Sequence, residues 1–365
     1  MSQIVHTTNQ ISETTAQTEA EVSKYVTAPL YTVALYYQYT HIADPEGFMH
    51  WHKEIGQKLG LTGRVLIAEE GINATVEGIT DSVQTYISAI REQSFANLKE
   101  TPIKTSPGNG EAFPKLKVKV RKEIVALGLT EVEGEDVDPN QLTGIHLKPE
   151  ELKAWYENNE DFVVIDMRND FEFRSGHFKN SINPEMEYFR DLPKVLPKLV
   201  EKHPEITKKK VLTVCTGGVR CEKASGYLLK KGFENVYQLD GGMHMYMDKF
   251  PGKTGEEFKG TLYTFDNRIT MDVSGDGSDP RAKERREIIG ECQVCKAKTE
   301  RYDHCAYDMC HRHILVCDDC AKNHIYVWCT PECREVSLKT GPEAMKQVGV
   351  GAVITDGLPY SAAPG

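Results

Sequence analysis

The chain has 365 residues, a formal net charge of −10 and 39% hydrophobic residues. This length allows about two or three domains with their own cores, and the negative charge argues against a protein that coats nucleic acid. There is no run of about 18 apolar residues, so we expect no membrane span. Ten cysteines without an export signal predict a reducing cytoplasm, where thiols are catalytic or bind metals rather than form disulfides.

The N-terminal third combines an expected tail with an α/β unit. Residues 1–28 are rich in Ser, Thr, Gln and Glu, which predicts a disordered tail without a targeting signal. Residues 29–128 follow the order β-α-β-β-α-β, which predicts a ferredoxin-like α+β domain. The alternating segment Leu116–Val120 is taken as its last strand, and the acidic residues 129–140 as a linker.

Basic residues occupy alternate positions of that last strand and continue beyond its end. An acidic chain can still carry a local basic surface, so these residues are candidates for RNA contact, the alternative being a solvated face. They are Lys117, Lys119, Arg121 and Lys122.

Strands and helices alternate over residues 141–255, as in a parallel α/β domain. Cys215 follows the apolar strand Val211–Val214 and precedes a helix, where loop N–H groups and the helix dipole favour a thiolate. Arg220 ends the loop and adds a fixed positive charge. The loop glycines are expected to adopt positive φ angles. The residues between Cys215 and Arg220 are Thr216, Gly217, Gly218 and Val219.

The loop from Cys215 to Arg220 spans six residues, one fewer than in cysteine phosphatases, and this favours sulfur over phosphate chemistry. Taken alone, the loop predicts a sulfurtransferase that carries a persulfide on Cys215. A phosphatase and a noncatalytic RNA-binding or zinc scaffold are two less favoured interpretations of the same residues. Cys221 follows the loop and is either a resolving thiol or a small buried residue that packs the helix onto the sheet.

Residues 256–340 contain eight of the ten cysteines, arranged in four close pairs. Eight thiolates in such pairs fit two tetrahedral structural zinc sites, and metal would supply folding energy to a segment with little core. The spacing leaves open whether consecutive or interleaved pairs share a site. The predicted ligands are Cys292, Cys295, Cys305, Cys310, Cys317, Cys320, Cys329 and Cys333.

Four histidines lie near these cysteines. Because eight cysteines suffice for two sites, the histidines are expected at the surface or facing RNA. The histidines are His304, His311, His313 and His324.

The Gly-, Ala- and Pro-containing residues 341–365 are expected to form a flexible tail.

Phe162–Arg168, the Cys215 loop and Gly232–Gly242 form a series of segments, and over about residues 141–250 this series resembles the rhodanese domain. The resemblance implies that the motif around Asp166, Arg168, Glu172 and His177 mainly buttresses the fold. Asp166 and Arg168 are then expected to form an internal ion pair. His177 is expected to be a hydrogen-bonded structural histidine, and Glu172 belongs to the same motif.

Four features of the chain belong together: Ala68–Asn73, Lys122–Val125, the extended loop Cys215–Ser225 and Phe265–Arg268 ahead of the cysteines. They give about residues 30–335 a resemblance to the bacterial tRNA uridine hydroxylase (TrhO) family. It implies oxygen-dependent hydroxylation of the wobble uridine of tRNA to 5-hydroxyuridine, with Cys215 as the catalytic cysteine.

The implied partner is tRNA and the implied co-substrate is molecular oxygen. No flavin, haem or two-histidine-one-carboxylate iron motif stands out, so no organic cofactor is predicted. The sequence identifies neither a sulfur donor nor an electron donor. One chemical route is addition of Cys215, as thiolate or persulfide, to C6 of the uracil, which makes C5 electron-rich.

Overall fold

The computed structural model describes residues 30–129, 136–250, 257–266, 270–271 and 287–348, the pair 270–271 by its backbone alone. The expected N-terminal tail and most of the expected C-terminal tail lie outside these residues, as does part of the expected linker. None of the helices in these ranges is long and apolar enough to cross a bilayer.

The first domain is a five-stranded sheet with two helices packed on one face. The strand order is β4-β1-β3-β2-β5, antiparallel except for the parallel β2–β5 pair. The first four strands give the ferredoxin-like arrangement and confirm the predicted fold class. The elements are β1 (Tyr31–Tyr39), α1 (Pro45–Lys58), β2 (Thr62–Ala68), β3 (Gly71–Ile79), α2 (Thr80–Glu92), β4 (Lys104–Gly108) and β5 (Leu116–Val120).

The assignment of Leu116–Val120 as the last ferredoxin-like strand is wrong. That position belongs to Lys104–Gly108, which pairs with β1 at the sheet edge, whereas Leu116–Val120 is an additional edge strand beside β2. The sequence Lys-Thr-Ser-Pro-Gly has no apolar alternation, and Pro107 is tolerated because an edge strand needs fewer ladder hydrogen bonds. Local patterning therefore misses this strand.

The two faces of the first sheet have different partners. Residues such as Tyr36 and Ile67 are buried under the helices in the domain core. Leu35, Tyr37 and Leu66 alternate with them along the strands and line the opposite, helix-free face. This helix-free face packs towards the second domain.

The second domain is a four-stranded parallel sheet in the order β6-β10-β9-β7. A parallel bridge between Ile165 and Ile182 extends it. Because β9 runs parallel to its neighbours, its carboxyl end brings the following loop to the edge where ligands bind in such sheets. The elements are β6 (Ile145–Leu147), α3 (Pro149–Glu157), β7 (Phe162–Asp166), α4 (Asp170–Ser175), β8 (Gly176–Phe178), α5 (Leu192–Lys202), β9 (Lys210–Val214), α6 (Val219–Lys230), β10 (Asn235–Leu239) and α7 (Gly242–Lys249).

The C-terminal region has short strands and two short helices. One strand pairs with β8 of the second domain. Residues 341–348, where the expected tail begins, contain a 3-10 turn, and Val348 donates its N–H to the carbonyl of Ile325 at 2.9 Å. The elements are β11 (Phe258–Gly260), β12 (Leu262–Tyr263), β13 (Thr270–Met271), β14 (Tyr302–His304), β15 (His313–Leu315), α8 (Asp318–Asn323) and α9 (Pro331–Thr340).

An aromatic cluster joins this region to the second domain. The Tyr302 hydroxyl donates to the Phe171 carbonyl at 2.6 Å, and the His313 ring stacks on Phe171 with 4.6 Å between centroids. His304 is buried and lies against His313. The expectation that the histidines face solvent or RNA is therefore wrong for these two, because their rings fill the joint.

Candidate active site and metal centres

Cys215 lies in the loop between β9 and α6 and is fully buried. Its sulfur accepts the N–H of Gly218 at 3.1 Å, and the N–H and thiol of Cys221 also donate to it. Burial acts to raise the pKa of the Cys215 thiol, but these donors and the Arg220 charge outweigh burial and lower it to about 5. Cys215 is therefore a thiolate at neutral pH.

The two loop glycines have different roles. Gly218 has φ +103°, and a Cβ there would lie 2.7 Å from the Tyr37 hydroxyl, so both backbone and space require glycine. Gly217 does not have a positive φ, so the expectation of positive angles is wrong for this residue. A Cβ on Gly217 would instead lie 3.3 Å from Leu35, because the helix-free face of the first sheet covers the loop.

Arg220 is held by a carboxylate. Its guanidinium donates to both oxygens of Glu172, at 2.7 and 2.9 Å, and Glu172 is fully buried. The hydroxyl of Thr216 also donates to Glu172, at 3.3 Å. Burial acts to lower the pKa of Arg220, but the Glu172 carboxylate outweighs it and raises the pKa. Glu172 thus fixes the cation of the loop, a role that the sequence motif alone did not indicate.

The remaining residues of that motif are structural, as expected. Arg168 and Asp166 form a fully buried ion pair with a 2.7 Å contact. Nδ1 of His177 lies 3.0 Å from the Phe173 carbonyl, and its ring stacks on Phe173. The predicted internal ion pair and hydrogen-bonded histidine are both confirmed.

A cavity of about 480 Å³ opens at the loop. This volume is within the usual range for sites that bind small molecules or single nucleosides. The first domain, the second domain and the segment around Phe265 all contribute to its wall, which includes five phenylalanine and tyrosine side chains. The loop residues in the wall are Cys215, Thr216, Gly217, Val219 and Arg220, and the aromatic ones are Tyr37, Phe113, Tyr188, Phe189 and Phe265.

Two side chains of the first domain complete the loop from across the interface. Lys104 of β4 donates to the carbonyls of Gly217 and Gly241, at 2.7 Å each. The hydroxyl of Tyr37 donates to Glu222 of α6 at 3.2 Å. Sequence reasoning missed both, since they precede the loop by more than 100 residues and carry no local motif.

A buried lysine fixes the docking of the two domains. The Lys223 ammonium is 1% exposed and contacts the carboxylates of Glu70 at 2.7 Å and Glu123 at 2.6 Å. These three residues belong to Ala68–Asn73, Lys122–Val125 and Cys215–Ser225, so three of the four segments that carry the family resemblance meet at one point.

The predicted RNA-contacting residues extend from the cavity along β5. Arg121 lines the cavity together with Arg64. Lys117 is paired in register with Arg64 and Lys119 with Leu66, so both lie on the helix-free face. Partial desolvation and mutual repulsion among these cations lower the pKa values of Lys117 and Lys119. Lys122 is exposed and lies outside the cavity lining.

The eight C-terminal cysteines form two groups of four, with the sulfurs of each group within 4.8 Å of one another. The groups are interleaved, since the first and third sequence pairs form one and the second and fourth form the other. Sulfur–sulfur distances such as 3.6 Å for Cys295–Cys317 and 3.5 Å for Cys310–Cys329 approach the roughly 3.8 Å of tetrahedral zinc thiolates. Both groups can therefore bind a metal ion. They are Cys292, Cys295, Cys317 and Cys320, and Cys305, Cys310, Cys329 and Cys333.

Three family descriptions match successive parts of the chain: a UPF0176 acylphosphatase-like domain at residues 31–124, a rhodanese-like domain at 148–249 and a rhodanese C-terminal region at 259–334. Among solved structures, the rhodanese-like domain of an Anabaena protein is 20% identical with a TM-score of 0.26, covering 32% of this chain and 78% of that one.

Curated relatives are similar over most of their length. A tRNA uridine(34) hydroxylase of Bacillus velezensis is 42% identical over 311 residues, which cover 83% of this chain and 88% of that protein. A protein of the same name from Cytophaga hutchinsonii is 39% identical over 322 residues, which cover 88% of this chain and 94% of that protein. Both similarities extend over more than four fifths of this chain.

Proposed function

The chain belongs to the tRNA uridine(34) hydroxylase family, and we propose that it is a cytoplasmic enzyme that hydroxylates the wobble uridine of tRNA to 5-hydroxyuridine. The observation that carries the proposal is a stabilised Cys215 thiolate in the wall of a nucleoside-sized cavity. A single base can enter such a cavity once it has left the anticodon stack.

Cys215 is the proposed covalent centre, acting as a thiolate or, in a second form, as a persulfide. Its addition to C6 of the uracil makes C5, the position to be hydroxylated, electron-rich. Arg220, held by Glu172, stabilises the anionic sulfur together with the loop N–H groups. Molecular oxygen is the proposed co-substrate.

Basic residues at the cavity mouth are the proposed contacts for the tRNA backbone. Arg64 and Arg121 line the cavity, and Lys117 and Lys119 continue the same face along β5. Side chains of this charge neutralise phosphates and position an RNA without reading its sequence. Lys122 extends the proposed surface beyond the cavity.

For Cys221 we favour a packing role over that of a resolving thiol. It is fully buried, and its thiol donates to Cys215. Burial and the neighbouring Cys215 thiolate raise its pKa, so that it stays protonated and acts as a hydrogen-bond donor. A resolving thiol must instead become nucleophilic.

The two four-cysteine groups are proposed to hold one structural zinc ion each. All-sulfur sites with four protein ligands are typical of structural rather than catalytic zinc. Since the C-terminal region has a small core, zinc would stabilise the fold that presents Phe265 to the cavity.

A sulfurtransferase remains the second candidate function, favoured by the N–H groups that surround the Cys215 sulfur. Sulfur transfer from thiosulfate would need the loop but not the basic face of the first domain. Rapid sulfur transfer by a protein that leaves tRNA unmodified would support this second function.

The test is nucleoside mass spectrometry of tRNA from a strain that lacks the gene and any parallel hydroxylation route. We expect 5-hydroxyuridine to be absent from this strain and to return when the wild-type gene is supplied. Unchanged 5-hydroxyuridine without the gene, in the absence of a parallel route, would contradict the proposal.

A further inference from the structure

Among the residues that the structure describes, Lys104 is the one lysine of the first domain that lines the cavity at the reactive loop. It lies on edge strand β4, in register with Leu35, whose side chain covers Gly217. Its Nζ donates to the carbonyls of Gly217 and Gly241, at 2.7 Å each. These two bonds fix the ammonium beside the loop.

The fixed ammonium keeps one N–H that these two carbonyls do not use. A lysine ammonium has three N–H donors, of which the two carbonyls use two. Lys104 itself lines the cavity that contains Cys215. Partial burial lowers its pKa, while attraction to Cys215 and Asp240 acts in the opposite direction, so it is a stronger donor than a surface lysine.

The addition of Cys215 to uracil creates a charge that needs such a donor. As the sulfur–C6 bond forms, the C5–C6 π electron pair moves to give an enolate across C5, C4 and O4. The negative charge leaves sulfur and appears on O4, and no electron enters or leaves the adduct. A cation preorganised at that oxygen lowers the barrier, as donors in an oxyanion hole do.

We propose that Lys104 is a catalytic residue of this enzyme, whose free N–H binds O4 of the target uracil and stabilises the enolate formed when Cys215 adds to C6. This inference rests on the proposed function. It also means that the rhodanese-like domain alone has an incomplete site, because the required cation comes from the first domain.

The addition step can be measured without oxygen, because reversible addition at C6 lets the C5 hydrogen exchange with solvent. Full-length protein is mixed anaerobically with tRNA that carries tritium at C5 of its uridines, and tritium release is followed. Wild type should release tritium, and Lys104→Met should slow release about 100-fold, the usual effect of losing one oxyanion donor. Lys104→Arg should recover part of the rate, and the exposed control Lys99→Met should behave as wild type.

A second measurement distinguishes a catalytic role of Lys104 from a role in which Lys104 only anchors the loop. Alkylation of Cys215 by iodoacetamide reports the loop and its thiolate, and it should change less than about threefold in Lys104→Met. The proposal would be overturned if Lys104→Met lowered the rates of Cys215 alkylation and of tritium release by the same factor. It would also be overturned if Lys104→Met released tritium as fast as wild type. If the wild-type protein releases no tritium, the proposal for Lys104 is also overturned. The proposed hydroxylation is tested separately, by nucleoside analysis of tRNA.

Discussion

Arg220 and Glu172 form a buried ion pair in which two guanidinium nitrogens meet the two carboxylate oxygens at 2.7 and 2.9 Å. The pair joins α4 to the first turn of α6, so the cation beside Cys215 is positioned by a residue 48 positions earlier in the chain. The geometry of the reactive loop therefore depends on an element outside it.

Glu172→Gln should destabilise the protein and impair the loop. Removing one partner of a buried pair leaves the other charge uncompensated, at a cost of about 3–5 kcal/mol. We expect urea unfolding to show a free energy of unfolding that is lower by this amount. Alkylation of Cys215 should also be slower. Asp161→Asn is the matched control, because its pair with Lys209 is exposed and a surface ion pair contributes little to the free energy of unfolding. Equal effects of the two substitutions would contradict this account.

Alkylation of Cys215 should be almost independent of pH between 7 and 9. The thiolate reacts, and a pKa of about 5 means that it is fully formed at pH 7 and is lost as the pH falls towards 5. An ordinary thiol with a pKa of about 8.5 would react roughly 20-fold faster at pH 9 than at pH 7. The rate is measured by mass spectrometry of the peptide that contains Cys215.

The same experiment separates the groups that lower this pKa. Arg220→Met removes a charge and Cys221→Ala removes a thiol donor, so both should shift the alkylation profile to higher pH. Cys221→Ser keeps a donor and should stay closer to wild type. A profile in Arg220→Met identical to that of wild type would exclude the proposed charge effect.

The interleaved cysteine groups predict a specific pattern of metal loss. Wild type should contain two zinc ions per chain, by atomic absorption. The double variant Cys292→Ser/Cys317→Ser removes two ligands from one group and should keep one zinc. The matched double variant Cys292→Ser/Cys305→Ser damages both groups and should keep none. The reverse result would indicate that consecutive pairs share a site.

Charge reversal on the helix-free face should weaken tRNA binding. Lys119→Glu/Arg121→Glu should lower the affinity for tRNA at least about tenfold. The slope of log affinity against log salt concentration should become shallower by about 2, as expected for two lost phosphate contacts. The exposed residues Lys194 and Lys198 of α5 provide a control pair. Equal losses in both double variants would show that net charge alone matters. Binding is measured by filter retention at several salt concentrations.

The sequence predicted the parts of the site that local patterns encode. The apolar strand, Cys215 and the following glycines and helix are contiguous, so their conformation could be inferred. Two tetrahedral thiolate groups also followed from the cysteine spacing, but their interleaving depends on how β14, β15 and the helices pack. Spacing alone does not contain that information.

The contacts between domains could not be predicted in the same way. Strand β4 contains Pro107 and polar residues, so its place in the sheet is decided by pairing with β1 rather than by intrinsic preference. Lys104 and Tyr37 reach the loop because the helix-free face docks on it. Glu172 appeared in a recognised motif, but its partner Arg220 became evident from the geometry.

The most direct test of the central claim is the 5-hydroxyuridine content of tRNA in the gene-deleted strain supplied with Cys215→Ser, with Cys221→Ala as control. Serine keeps the size of the side chain but lacks a stabilised thiolate. The account predicts no 5-hydroxyuridine with Cys215→Ser and measurable product with Cys221→Ala, at equal protein levels. Wild-type amounts of 5-hydroxyuridine with Cys215→Ser would contradict it.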